Sequence, residues 1–303
     1  MRNAIPAMLA FVLFAAVPWL SEFWGGSYLT SLAMRAMILA LVAVSLDLLI
    51  GQGGMVSFGH AAFLGIGSYV TGIAITEGTT DLTTILAITI AVAALFALVT
   101  GAISLRTTGV AFIMITLAFG QMVFFTLSAL SEYGGDDGLT LWERASALED
   151  DAVLYFSILG ALMLAWFMVT RIVGSRFGRV LRAAKQNETR TETMGFDTFR
   201  VRLTAYVIAG VLAAIAGVLL ANQAEFVSPA SAAWQRSGDL IIIVVLGGMG
   251  TRSGAVLGAL AFVALEEGLS SLTHDWRLIF GPLLILIVLY AKGGLASLWE
   301  RRI

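Results

Sequence analysis

Apolar stretches follow one another along almost the whole chain, and most of them approach the length that a helix needs to cross a lipid bilayer. A helix rises about 1.5 Å per residue, so roughly 20 apolar residues span the ~30 Å of hydrocarbon. Charged residues make up only 13% of the chain, which is too few to cover a soluble domain of 303 residues. These features exclude a soluble globular protein and predict an all-α polytopic membrane protein, with one transmembrane domain over residues 1–303.

The positions of the apolar stretches predict about eight to ten transmembrane helices. The first stretch follows Arg2 and has no small-residue cleavage site near Pro18, so we expect a retained helix rather than a signal peptide. Two stretches, 239–246 and 278–291, are short for a crossing. The full set covers residues 4–20, 28–50, 61–76, 82–105, 109–130, 152–173, 203–221, 239–246, 255–272 and 278–291.

Charged residues are concentrated in two segments of opposite sign. Residues 171–202 carry eight Arg or Lys against three acids, whereas residues 131–151 carry seven acids and one Arg. Because basic loops are retained in the cytoplasm, we predict a cytoplasmic segment at about 174–202 and an acidic loop at about 131–151 on the outer side. The same rule places both chain termini in the cytoplasm with Arg106, Lys292, Arg301 and Arg302, and puts residues 77–81 and 223–237 outside.

Two glycine-rich stretches, 51–60 and 247–254, interrupt the apolar pattern, and each contains Gly-Gly-Met followed by small and polar residues. Glycine costs about 1 kcal/mol in a helix interior, so we expect neither stretch to be continuous helix. Irregular backbone at membrane depth is stable only where protein or a water-filled cavity covers it, and such elements line transport pathways. Close helix packing through small residues is the alternative. We predict two broken or re-entrant elements, with pathway or hinge residues Gly51, Gln52, Gly53, Gly54, Ser57, His60, Gln121, Gly247, Gly248 and Gly250.

Ionisable residues inside the apolar stretches are costly, at roughly 2.5–3.5 kcal/mol each near the centre of a bilayer. Arg35 and Asp47 lie twelve residues apart, roughly 18 Å along one helix, so they cannot pair with each other. We expect each of them to contact another helix or water. The alternative is a secondary transporter in which Asp47 or Glu266 binds a proton or an ion.

Residue patterns that support catalysis or bind metals and nucleotides are scarce. The chain has no cysteine, and neither His60 nor His274 has ligand partners at helical spacing. The chain also contains no Walker A sequence. We therefore expect a non-enzymatic chain, without catalytic residues, metal, cofactor or ATPase site of its own, that contacts lipid and no nucleic acid.

Within the basic segment, residues 179–194 fit a short amphipathic helix, and Gly195 fits its C-terminal cap. Basic amphipathic helices often lie on anionic lipid headgroups. Here Asn187, Glu188 and Glu192 interrupt the positive charge, and the apolar side is thin. A helix that docks to a protein partner fits these residues better.

Three motifs occur in order along the chain. The first is Gly51-x-Gly53-Gly54-x-x-Ser57-Phe58-Gly59-His60, and the last is Leu246-Gly247-Gly248-Met249-Gly250-Thr251. Between them lies Arg182-Ala183-Ala184-x-x-Asn187-Glu188, followed by Gly195-Phe196. Together they resemble the LivM-type permeases of the branched-chain amino acid ABC importers, over most of the chain.

The resemblance implies a permease subunit in the inner membrane of a bacterium, with the acidic loop in the periplasm. It implies a second, related permease of the LivH type, two ATPase subunits that bind ATP and Mg, and a periplasmic substrate-binding protein. The acidic loop would face that binding protein, either as a recognition surface for basic residues or as a solvated loop. The basic segment would dock in an ATPase subunit, with coupling residues Arg182, Ala183, Ala184, Asn187, Glu188 and Gly195.

The resemblance also implies the class of solute. Most permeases of this type carry branched-chain amino acids, so we expect these or other hydrophobic amino acids. Similar permeases serve short amides, urea or sugars, which are the alternatives, because selectivity rests largely with the binding protein.

Overall fold

The computed structural model describes residues 5–24, 26–271, 275, 278–282, 285 and 293–296. Over these residues the chain is a bundle of α-helices with a two-stranded antiparallel sheet, so the prediction of an all-α polytopic membrane protein is confirmed. The helices are α1 (Ile5–Trp24), α2 (Gly26–Asp47), α3 (His60–Thr76), α4 (Leu82–Ser104), α5 (Val110–Ser128), α6 (Asp151–Gly174), α7 (Arg176–Gln186), α8 (Glu188–Thr193), α9 (Thr198–Ala224), α10 (Trp234–Gly247) and α11 (Gly254–Ser270). The sheet pairs β1 (Leu139–Thr140) with β2 (Phe226–Val227), a π-helical turn (Leu48–Gly53) follows α2, and short 3-10 helices cover Ser131–Tyr133, Gly135–Asp137, Ser146–Leu148 and Pro229–Ala232.

Within the described residues, five helical units are long and apolar enough to cross a membrane. They are α2 with its π-helical turn, α4, α5, α6 and α9, and α1 and α3 are shorter apolar helices. The short predicted stretch 239–246 is part of a longer helix, because α10 begins at Trp234. The predicted stretch 278–291 lies partly outside the described residues, and Arg2, His274, Lys292, Arg301 and Arg302 lie wholly outside them.

α2 is the central helix of the bundle. Of its most apolar 18 residues 94% are buried, compared with 22% for α4. It packs against α1, α6, α9, α10 and α11. Residues 36–44 contain no polar side chain, and a helix that is apolar on every side is stable where other helices enclose it.

α3 begins inside the bundle rather than at its surface. His60, its first residue, hydrogen bonds through Nε2 to Ser45 Oγ of α2 at 2.8 Å. Ser45 lies eight residues before the end of the π-helical turn, which corresponds to about 12 Å along a helix. Residues 54–59 cover this distance without helical structure, and α5 shields them where Phe58 N–H donates to Thr116 Oγ1 at 3.2 Å. The first glycine-rich stretch is therefore a broken element, as predicted.

α10 also begins within the bundle. The chain approaches the start of α10 from the end of the bundle opposite to the one from which it approaches the start of α3. The 3-10 helix Pro229–Ala232 packs against Gly65 of α3 so closely that this glycine has no space for a side chain. Ser237 in the first turn of α10 accepts a hydrogen bond from Ala61 N–H at 3.0 Å. Residues 223–237, which we expected to form an outer loop, thus enter the bundle. They fit there because small side chains face a glycine.

The acidic and basic segments lie at opposite ends of the bundle. α6 connects them, and its 24 residues correspond to about 36 Å. We call the two ends the acidic end and the basic end. At the acidic end, Arg144 forms ion pairs with Asp151 at 2.6 Å and Glu225 at 2.7 Å, which ties the acidic loop to α6 and α9. The Ser146 N–H also donates to the Thr80 carbonyl, so the α3–α4 connection lies at this end, as the predicted alternation requires.

Candidate functional site

The basic segment folds as two helices, α7 and α8, which meet at Asn187. The backbone of Asn187 is extended (φ −157°, ψ 104°), and its Oδ1 accepts a hydrogen bond from Arg190 N–H at 2.9 Å. Asparagine is a favoured N-cap because its side chain satisfies an amide at the start of a helix. The prediction of one helix over 179–194 is therefore wrong, since Asn187 ends α7 and begins α8. Gly195 follows α8 with φ +88°, which is typical of a C-terminal cap, as predicted.

Two basic side chains anchor α7 on the bundle. Lys185 Nζ donates a hydrogen bond to the Gly51 carbonyl at 2.7 Å. Arg182 donates through one terminal nitrogen to Gln52 Oε1 at 3.1 Å and to the Val173 carbonyl at 3.0 Å. Both Gly51 and Gln52 belong to the π-helical turn. The predicted coupling segment is thus bonded to the first glycine-rich stretch.

The turn between α10 and α11, residues 248–253, contacts the π-helical turn directly. Gln52 Nε2 donates to the Gly250 carbonyl at 3.0 Å, and Gly250 N–H donates to Asp47 Oδ1 at 2.7 Å. A side chain on Gly51 would collide with Asp47 and with the Gly250 backbone. The two predicted glycine-rich elements therefore form one site. We call α7, the π-helical turn and residues 248–253 the hub.

Backbone geometry explains several of the predicted glycines. Gly54 ends the π-helical turn with φ +69°, and Gly248 and Gly250 have φ +114° and +74°, conformations that glycine adopts without steric cost. Gly53 lies against Leu181 of α7. Gly247 has a packing role instead, because the backbone of α11 lies directly against it. π-Helical turns are rare and occur frequently at functional sites.

Glu188 fixes α8 to α9. Its Oε1 accepts a hydrogen bond from Arg202 at 2.6 Å and lies 3.3 Å from the hydroxyl of Thr198. Arg202 also donates to the Ala184 carbonyl at 3.2 Å, and the Ala184 side chain is buried. Glu188 therefore holds the basic segment in position through its contacts with α9 of the same chain. The exposed residues of the segment include Ala183, Gln186, Asn187, Thr189, Arg190 and Thr193.

Three of the predicted pathway residues, Ser57, His60 and Gln121, lie where α3 begins, outside the hub. Ser57 and His60 are fully buried. Gln121 is half-buried in α5, and its Nε2 has no hydrogen-bond partner within the part of the chain that the structure describes. The residue before Gln121 packs against Gly59, so all three polar side chains border the broken stretch. Gln52, the remaining predicted pathway residue with a polar side chain, makes its hydrogen bonds in the hub.

Ionisable groups of α2 have partners elsewhere in the bundle. The partner of Arg35 lies on another helix, as expected, and that of Asp47 lies in the turn between α10 and α11. Arg35 of α2 donates to both carboxylate oxygens of Glu266 in α11 at 2.8 Å. Tyr28 donates to the neighbouring Glu267, and Asp47 accepts the Gly250 amide. Across the described ranges, no three His, Asp or Glu side chains are placed together to hold a metal ion.

Lys185 and Arg202 belong to the site although no motif marks them. The signal in the sequence is their place in the basic segment. That signal does not identify their partners. Gly51 lies 134 residues from Lys185 in the sequence. Long basic side chains on such a segment are equally compatible with a position in solvent.

Comparison with known proteins places the chain among transport proteins. The family described as branched-chain amino acid transport system permease component matches residues 28–289. The high-affinity branched-chain amino acid transport system permease protein LivM of Escherichia coli K12 is 26% identical, over 95% of this chain and 74% of that protein. In Methanocaldococcus jannaschii, a probable LivM is 24% identical over 84% of this chain and 89% of its own length, and a probable LivH is 31% identical over 46% and 45%. No solved structure matches the chain significantly. The family match extends from α2 past α11, and the chain therefore belongs to the family of branched-chain amino acid transport system permease components.

Proposed function

We propose that this chain is a permease subunit of a binding-protein-dependent ABC importer that moves branched-chain or other hydrophobic amino acids across the inner membrane of a bacterium. ATP and Mg bind to two partner ATPase subunits, and hydrolysis there drives transport. A second permease of the LivH type completes the pathway, and a periplasmic binding protein delivers the solute. Family membership and the hub support this proposal.

The hub is the observation that carries the proposal. α7 has exposed residues on its outer side, and its inner side is hydrogen bonded to Gly51 and Gln52. An ATPase subunit that moves α7 therefore moves the π-helical turn, and Gln52 passes the displacement to Gly250. A partner whose contacts differ between two states of the permease shifts the equilibrium between them.

The separation of acidic and basic segments to opposite ends of the bundle sets the orientation of the chain in the membrane in this proposal. The basic end faces the cytoplasm, where the ATPase subunits are, and both termini lie on that side. The acidic end faces the periplasm and the binding protein. Ser57, His60 and Gln121 then provide hydrogen-bonding groups along an otherwise apolar route for a polar solute.

Ion-coupled transport through Asp47 or Glu266 has weaker support. Glu266 already has a positive partner in Arg35, and Asp47 is hydrogen bonded to a backbone amide. An ion would therefore have to displace Arg35 from Glu266, and Asp47 offers it a single oxygen beyond the one that accepts the Gly250 amide.

Ala183→Arg tests docking of the ATPase subunits, because Ala183 is exposed on α7. We expect the added cation to reduce co-purification of the ATPase subunits and to lower ATP-driven leucine uptake by about tenfold or more, the effect of losing ~1.4 kcal/mol at an interface. Ala147→Arg is the matched control, since Ala147 is exposed at the acidic end. It should leave co-purification unchanged. Normal co-purification and uptake with Ala183→Arg would show that α7 is not the docking site.

A charge exchange separates docking from folding of the segment. Glu188→Arg alone removes the contact that holds α8 on α9, so we expect weaker co-purification of the ATPase subunits. Glu188→Arg combined with Arg202→Glu restores an ion pair at the same place. Recovery in the double variant assigns Glu188 a positioning role, whereas continued loss assigns it a direct contact with the ATPase.

A further inference from the structure

A cavity of about 300 Å³ lies beside the hub, between α2, α6 and the turn at residues 248–253. One part of its lining is apolar and includes Val44, Trp166 and Val169. The other part is polar and includes Asp47, Gln52 and Arg182. Pockets for small ligands begin at roughly 300 Å³, are mostly apolar and contain a few placed polar groups. The cavity thus has the size and composition to bind a small solute with one apolar and one charged end.

Of the three charged residues in this lining, Arg252 is exposed to solvent, whereas Asp47 is buried and Arg182 is partly buried. Asp47 and Arg182 have opposite charges and are held apart. Arg182 donates to Gln52, Gln52 donates to the Gly250 carbonyl, and the Gly250 amide donates to Asp47. One amide side chain and the backbone of Gly250 therefore stand between the guanidinium and the carboxylate. In the described part of the chain the two groups do not form an ion pair with each other.

Both charged groups have capacity for a ligand. Asp47 uses Oδ1 for the Gly250 amide, and a carboxylate has a second oxygen that accepts hydrogen bonds. Arg182 uses one terminal nitrogen for its two protein contacts, and a guanidinium has five N–H donors. A negative group suits an ammonium and a positive group suits a carboxylate. The same small molecule satisfies both only if it is a zwitterion.

We infer that this cavity binds the zwitterion of an amino acid with a short apolar side chain, entering from the cytoplasmic side, and that the bound amino acid slows the transport cycle. The inference rests on the proposed function, which supplies the amino acid as the product of import. The carboxylate binds Arg182, the ammonium binds Asp47, and the side chain lies against the apolar wall. Because Arg182 belongs to α7, the ligand favours one position of α7, and by linkage it opposes the movement that the ATPase subunits drive.

Equilibrium binding of radiolabelled L-leucine to the complete permease–ATPase complex in lipid nanodiscs, without binding protein, tests the inference. We expect saturable binding and a lower rate of ATP hydrolysis in the presence of L-leucine. 4-Methylpentanoate lacks the ammonium and 3-methylbutylamine lacks the carboxylate. Each should bind at least about tenfold more weakly, as expected for loss of one charge-assisted contact.

Two variants locate the binding site in this cavity. Thr170→Phe fills the cavity from α6 and should abolish both L-leucine binding and the inhibition of ATP hydrolysis. Thr204→Phe, at an exposed position of α9 outside the lining, is the matched control and should retain both. Asp47→Asn keeps an oxygen for the Gly250 amide but removes the charge. It should therefore bind L-leucine and 4-methylpentanoate about equally.

Three results would overturn the inference. They are undiminished L-leucine binding with Thr170→Phe, an unchanged preference for L-leucine over 4-methylpentanoate with Asp47→Asn, and a phospholipid in the cavity that L-leucine does not displace. The proposed function fails separately, if proteoliposomes with the binding protein show no ATP-driven uptake. ATP-driven uptake in the absence of L-leucine binding to the cytoplasmic side of the complex contradicts the inference alone.

Discussion

Arg35 and Glu266 show how this chain accommodates charge within its membrane part. Both oxygens of the carboxylate accept hydrogen bonds from the guanidinium at 2.8 Å, which offsets part of the cost of removing the two groups from water. The sequence predicts that Arg35 needs a partner on another helix. It does not identify Glu266, because 231 residues separate the two and an apolar pattern does not show which helices are neighbours.

Arg35→Met should destabilise the protein, because Glu266 then keeps its charge without a cation nearby. We expect a loss of roughly 1–3 kcal/mol, the usual cost of leaving a buried polar group unpaired. Thermal unfolding in detergent, followed by size-exclusion chromatography, measures this loss. Arg35→Met combined with Glu266→Met should recover most of the stability. A double variant as unstable as the single one would show that the unpaired charge of Glu266 is not the cause of the loss.

At the scale of elements, glycine density predicts where helices break but not what the breaks contact. The first glycine-rich stretch is a π-helical turn and an irregular segment, and the second is the turn between α10 and α11. Their contact through Gln52 and Gly250 depends on tertiary packing, and nothing in either stretch specifies it. The end of α7 is a different case. Asn187 is a favoured N-cap, so the local sequence contains the signal for a new helix.

Gly51→Ala should damage the hub. A methyl group at this position would meet Asp47 and the Gly250 backbone, so the two turns must separate. We expect a loss of roughly 1–3 kcal/mol in stability, as for overpacking in a core, together with a large loss of leucine uptake.

Gly160→Ala is the matched control for this substitution. Gly160 lies within α6 with no atom near the position of an added methyl group, so alanine should be neutral or stabilise by about 0.5–1 kcal/mol. Thermal unfolding and uptake are compared for both variants. Equal behaviour of the two would mean that the contact between the turns has no role in transport.

At the scale of the whole molecule, the sequence predicts the class, the spans and the sorting of charge between two ends. Length and hydropathy are sufficient for these features, because the bilayer sets the length of a helix and excludes charge. The enclosure of α2 and the entry of residues 223–237 into the bundle are not predicted. Hydropathy does not distinguish a helix in contact with lipid from one in contact with other helices.

The chain contains no cysteine, so labelling of a single introduced cysteine reports on which side of the membrane that position lies. Thr189→Cys is exposed at the basic end and Ala147→Cys at the acidic end. In spheroplasts that express the permease without its ATPase subunits, a membrane-impermeant maleimide should label Ala147→Cys directly. It should label Thr189→Cys only after lysis. The reverse pattern would invert the proposed orientation.

The enclosure of α2 by other helices also sets the order in which its contacts form during synthesis. Asp47 leaves the ribosome 203 residues before Gly250, its hydrogen-bond donor. At roughly 5–20 residues per second, α2 waits about 10–40 s in the membrane before that donor exists. Arg35 waits for Glu266 over a similar interval. α2 is thus inserted well before the residues that bind its charged groups have been synthesised.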